Sequence, residues 1–227
     1  MISRRLHGAS AIFLCIVLST FCHAQANELS LTLGGMRSSD QSTTLPPLPL
    51  PCPIGIANCN LVTTSTSTGF AIEGAFTRRL FGLDALSLGL ELPLVEVPGR
   101  DVTINSPLLS LVPVTASVSS FFFTPSARVK LMSKAAISPF FSVGGGLVHY
   151  GTSASIPGVV SISNGNTNGA LQFGGGLDFK TRLPLLRIRA HLRDFYAPSP
   201  LHSSSLLLPS TGHQNNLFFG AGVVLGF

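Results

Sequence analysis

Residues 217–227 place the tightest constraint on what this chain can become. Read with the period of two of an extended strand, Leu217, Phe219, Ala221, Val223, Leu225 and Phe227 share one face, while Gly220, Gly222 and Gly226 fall on the other. A half-buried strand of a soluble sheet sets polar side chains against its apolar face. Here the second face is nearly empty, as a narrow interior would require. The segment reads as the closing strand of a β-barrel whose greasy face meets lipid.

Composition supports lipid as the solvent and excludes helices as the means of crossing it. Only 10% of the 227 residues are charged, with 23 Gly, 16 Pro, 16 Phe and no Trp. Beyond the first 26 residues there is no uninterrupted apolar run of the about 18–20 residues that a spanning helix needs. Apolar residues are instead dealt out in alternation with Gly, Ser and Thr. Inside a bilayer only helices and closed barrels satisfy their backbone groups, so a barrel remains.

The start of the chain has the form of a secretion signal. Arg4 and Arg5 precede a short apolar core over 9–21, and Ala24-Gln25-Ala26 offers a small-x-small cleavage site, which predicts a signal peptide over 1–26. Bulky Phe21 before Cys22 argues against lipidation there. Cleavage would remove two arginines and no acid, lowering the net charge from +5 to +3, too mild a value to point to nucleic acid.

The remainder, 27–227, divides into eight alternating segments. Residues 28–36 set Leu29, Leu31 and Leu33 against Ser30, Thr32 and Gly34. Further strands are predicted over 68–78, 83–92, 118–131, 137–150, 169–180, 186–195 and 217–227. Long loops are predicted over about 37–67, 93–117, 151–168 and 197–214, the first two rich in proline, which removes a ladder donor. The connections thus alternate long and short on an even strand count, the pattern of bacterial outer-membrane barrels, with short periplasmic turns and longer outer loops. The fold class that follows is all-β: an eight-stranded antiparallel up-and-down transmembrane barrel.

With these strands and with Phe219, Val223, Leu225 and Phe227 at the end, the chain resembles the small eight-stranded outer-membrane β-barrels, the OmpA-like and OmpW-like transmembrane domains. The resemblance implies a bacterial outer-membrane location and a monomer surrounded by outer-membrane lipid. It also implies that those four residues are read by the barrel assembly machinery; no cofactor is expected, and no peptidoglycan-binding domain is expected after the barrel, a departure from full OmpA. The aromatic girdle departs from the usual pattern: with no Trp and only Tyr150 and Tyr196, Phe must fill that role.

An eight-stranded barrel is just wide enough for side chains to fill it. By phase, the inward charges are Glu73, Glu91 and Asp178 against Arg128, Lys130, Lys180, Arg187, Arg189 and Arg193, with His191 on the same face as the last three. A salt-bridged plug is the main expectation. The alternative is a narrow anion-favouring pore, suggested by the cationic excess and the inward glycines.

Three further features carry chemistry. Cys52 and Cys59 lie in the first long loop and are expected to form a disulfide in an oxidising compartment. A metal is a poor alternative, since no His neighbours the two thiols. His202-Ser203-Ser204 resembles the His-x-Ser spacing of outer-membrane lipid A deacylases, but three serines in a polar loop meet that pattern easily, and the chain is expected not to be an enzyme. The apolar stretches 108–114 and 206–208 are expected to extend the strands above the membrane; alternatively they line a mouth for a hydrophobic compound or contact an extracellular partner.

Overall fold

The computed structural model describes residues 27–44, 61–83, 85–105, 114–133, 135–156, 160–200 and 212–227. In chain order these form β1 (Asn27–Ser38), β2 (Gln41–Thr44), β3 (Leu61–Thr66), β4 (Gly69–Gly82), β5 (Leu86–Asn105), β6 (Val114–Phe123), β7 (Ser126–Leu131), β8 (Ile137–Ile156), β9 (Val160–Lys180), β10 (Leu186–Pro198) and β11 (His213–Gly226). β2 and β3 pair with each other and prolong β1 and β4, while β6 and β7 are two halves of one stave, parted at Thr124 and Pro125. The described strands therefore make eight staves, each antiparallel to its neighbours.

Residue 217–227 alternation takes physical form in the closure. β11 pairs on one side with β10, from Leu186↔Leu225 onward, and on the other with β1, from Glu28↔Gly226 to Ser38↔Asn216. Asn27 and Phe227 exchange backbone hydrogen bonds of 3.0 Å each, so the sheet has no free edge at the seam. Asn27 and Phe227 lie with the short connections around 83–85, 132–136 and 181–185, and this is called the turn end below. The opposite end carries the long hairpins.

Each wall segment shows the two-faced burial that its sequence alternation requires. In β4, Ala71, Glu73, Ala75 and Thr77 are buried inside, and Phe70, Ile72 and Phe76 face out. The outward side chains have no protein to cover them: Leu31, Phe70, Phe141, Val143 and Leu171 are each more than half exposed. A continuous apolar belt of this kind marks a surface whose neighbour is not water. The inner face is crowded enough that glycine becomes a packing requirement. A Cβ on Gly222 would lie 2.0 Å from the Leu31 carbonyl oxygen, and one on Gly176 would lie 2.4 Å from that of Ala190.

The long loops come out differently from expectation. Residues 93–117 and 151–168 are largely strand: β5 continues to Asn105, β6 begins at Val114, and β8 and β9 stay paired from Ile137↔Phe179 as far as Ile156↔Val160. Parts of 37–67 and 197–214 are strand as well. The physical reason is that ladder bonds are made by the backbone, so Ser, Thr, Asn and Gly continue a strand once it has left the apolar layer. The described prolines of these segments interfere little. Pro98 falls in a bulge between Val97 and Arg100, Pro125 falls at the break between β6 and β7, and Pro93 sits opposite Ala75 with the ladder intact on both sides.

Residues 1–26, Cys52 and Cys59, residues 108–113 and the His202-Ser203-Ser204 stretch with residues 206–208 lie outside the described residues.

Candidate functional site: the filled lumen

Inward-pointing residues sort by height into three layers, because every stave delivers one lumenal side chain per two residues. Nearest the turn end lies a lattice of ion pairs. Glu28 holds Lys130 Nζ at 2.9 Å and Arg187 Nη1 at 2.7 Å through Oε1, and Arg128 Nη1 at 3.2 Å through Oε2. Asp178 receives Arg189 in a fork, Nε to Oδ1 at 2.7 Å and Nη2 to Oδ2 at 3.2 Å. Its Oδ2 also meets Arg128 Nη2 at 3.0 Å and Lys130 Nζ at 2.6 Å.

Further into the barrel, Arg193 bridges two acids, with Nη2 at 2.9 Å from Glu91 Oε1 and Nε at 3.0 Å from Glu73 Oε2. His191 Nε2 lies 3.2 Å from the same Glu73 oxygen. The Phe140 ring lies 4.0 Å from the Arg128 guanidinium carbon and 4.8 Å from that of Arg189, so two cations also share one aromatic face. Arg189, Glu73 and Glu91 are fully buried.

The lattice sets four carboxylates, Glu28, Glu73, Glu91 and Asp178, against four buried cations, Arg128, Lys130, Arg189 and Arg193, and Arg187 adds a fifth cation on Glu28. Arg187 is half-buried at the rim, and Lys180 is exposed at the turn end rather than inside, a correction to its expected lumenal place. The phase that puts Lys180 inward holds, but β9 ends there and the residue lines the mouth of the turn-end cavity instead of entering the buried lattice. The cationic excess expected from the sequence is smaller for that reason and because Glu28 adds an inward acid. Its signal was present: Leu29, Leu31 and Leu33 face out, so Glu28 must face in.

Above the lattice is an apolar layer. Met36, Val95, Val97, Val118, Phe122, Val148, Phe195 and Phe218 are buried against one another inside the lumen, with Phe122 and Phe195 ring centroids 4.6 Å apart. Above these again, toward the hairpin end, is a polar layer of Ser38, Arg100, Ser120, Tyr150, Gln214 and Asn216, all buried. Neither layer was read from the sequence as a site, since an inward valine or phenylalanine gives no chemical signal and Val95, Val97 and Arg100 fall in a supposed loop.

A cavity of about 550 Å³ opens at the turn end, lined among others by Glu28, Arg79, Lys130, Lys180 and Arg187. Its inner wall includes Arg128 of the ion-pair lattice.

Comparison with known proteins adds a fold and no more. No protein-family model matches the chain, and no curated protein does. Among solved structures it is similar to the outer membrane protein OprG from Pseudomonas aeruginosa, at a TM-score of 0.53 and 12% identity over 90% of this chain and 97% of that one. It is also similar to Neisserial surface protein A, at 0.45 and 12% over 90% and 99%, and to Ail, the attachment invasion locus protein of Yersinia pestis, at 0.42 and 14% over 89% and 100%. The OprG match is to the same closed antiparallel barrel, and a shared fold does not carry an activity with it.

Proposed function

We propose that the chain is an integral protein of the bacterial outer membrane that spans it as a sealed barrel and acts through its outer hairpins, in a structural or surface-interaction role and without enzymatic activity. The observation that carries this is the lumen: a lattice of ion pairs and an apolar layer lie one above the other inside the same eight staves. An ion entering from the turn end meets four carboxylates already paired, and then a layer that offers it no polar group. Eight staves leave little spare width beyond the side chains. The belt of exposed Leu, Phe and Val supports lipid around the wall, and the hairpins that continue β5, β6, β8 and β9 supply the surface for an outer partner.

Planar-bilayer recording of the purified protein tests the reading. No discrete conductance steps are expected, and regular single-channel steps would replace the sealed barrel with the narrow pore. On the biogenesis side, residues 1–26 act as the signal peptide, and Phe219, Val223, Leu225 and Phe227 as the assembly signal, outward on β11 for the first three. Phe227→Ala should lower the outer-membrane yield without blocking secretion; an unchanged yield counts against that assignment.

A further inference from the structure

Arg100 is a buried cation with no carboxylate to answer it. The residue is 3% exposed, and its guanidinium is met by hydroxyls: Nη1 donates to Ser38 Oγ, and Nη2 makes a long contact of 3.4 Å with Ser120 Oγ. Its Nε has no partner. A guanidinium keeps its proton, so the charge cannot be relieved by titration. Moving an ion of this size out of water costs several kcal/mol unless an opposite charge accompanies it.

Among the described residues none supplies that charge. Of the chain's nine acids, Glu28, Glu73, Glu91 and Asp178 are committed to the lattice below. Glu73 stands four residues down β4 from Gly69, the residue that touches Arg100, or about 13 Å along the strand. Glu96, Asp101 and Asp194 sit on the outward phase of their strands, and Asp40 is exposed. Asp84 lies outside the described residues. The stretches 45–60, 106–113, 157–159 and 201–211, which join the strands at the hairpin end, contain no Asp or Glu.

The surroundings are nevertheless built to hold the side chain in place. The Arg100 stem lies across Gly69, where a Cβ would come within 2.2 Å of Arg100 Cγ. Ser38 Oγ in turn bonds Asn216 Oδ1, which also accepts from Gln214 Nε2 at 3.2 Å, and Asn216 Nδ2 donates to the Phe195 carbonyl at 3.2 Å. This chain of bonds fixes the Nη1 side of the guanidinium, while on the other edge Nε has no partner and Nη2 has only the long Ser120 contact. That edge is the one that receives two oxygens of a carboxylate or phosphate as a fork. Val97, Val102, Val118 and Phe122, buried in the adjoining apolar layer, give the fork a dry setting in which such a pair is strong.

We propose that the hairpin-end layer of the lumen is an oxyanion site, in which the Nε and Nη2 edge of Arg100 takes two oxygens of a ligand that is either a small inorganic anion or the carboxylate of an apolar molecule. The missing counter-charge is then the ligand itself.

The test is a titration of stability. The folded barrel in neutral detergent at low ionic strength is unfolded in urea at increasing phosphate in one arm and increasing octanoate in the other, for the natural protein and for Arg100→Met. The natural protein should show a saturable rise in its urea midpoint, the folded-to-unfolded ratio increasing about 100-fold when the ligand reaches 100 times its Kd. Arg100→Met should lose the saturable part. A rise with phosphate alone assigns the site to inorganic anions, and a stronger rise with octanoate assigns it to apolar carboxylates. If Arg100→Met does not fold, Arg100→Lys keeps the charge without the fork and should bind at least tenfold more weakly. The absence of a saturable rise in the natural protein, equal rises in Arg100→Met, or undiminished affinity in Arg100→Lys overturns the proposal.

Discussion

The two charged layers of the lumen are built on opposite terms. The lattice at the turn end draws cations and acids from β1, β4, β5, β7, β9 and β10, and every carboxylate in it touches at least two basic side chains. The layer at the hairpin end gathers hydroxyls and amides around one arginine. Between them the apolar residues keep the two apart. A barrel interior is therefore not one environment. Charge is tolerated at the first level because partners arrive from neighbouring staves, and at the second it is left for a ligand to neutralise.

That contrast can be broken by substitution. The largest effect is expected at Asp178, whose loss strands Arg189, Arg128 and Lys130 together. Asp178→Ala should cost about 3–5 kcal/mol in the free energy of unfolding measured in urea. Arg100→Met in dilute buffer should cost less than about 1 kcal/mol, because it removes a buried charge that the chain itself does not compensate. Similar losses for both variants would erase the distinction between the layers. The separating apolar layer is probed by Val148→Ala, which should cost about 2 kcal/mol for two methylene equivalents and the space they leave. A negligible cost at Val148, which is fully buried, would mean that the layer is loosely filled and that the lumen is less closed than its side chains indicate.

Much of the wall was legible in the sequence. Leu86, Leu88 and Leu90 against Ser87, Gly89 and Glu91 dictate a strand and its two faces without reference to anything else, and the burial of β5 follows that phase. The same rule placed Arg189 and Arg193 inside, since neither can face hydrocarbon. It failed where the pattern lost its apolar face. Residues 151–156 and 160–168 are mostly small and polar, with only Ile156, Val160 and Ile162 large and apolar, so little in them distinguishes a strand in water from a loop, and pairing of β8 with β9 does. Arg100 was missed for a related reason. The bulge between Val97 and Arg100 shifts the phase by a residue, and the Pro98-Gly99 that makes the bulge looks in sequence like the end of the strand.

Residues 217–227 show where the division falls. Their alternation by itself determined a strand with a lipid face and an empty face, because side chains on an extended backbone have no choice but to alternate. It did not determine what the empty face was for. Gly222 lies beside Arg189 and Gly220 beside His191, while Phe218 rises into the apolar layer, and those neighbours come from β10 and β1 by register alone. Charge pairing was decided in the same way. Which acid meets which base depends on staves far apart in sequence being brought level, a matter of barrel closure that no single strand encodes.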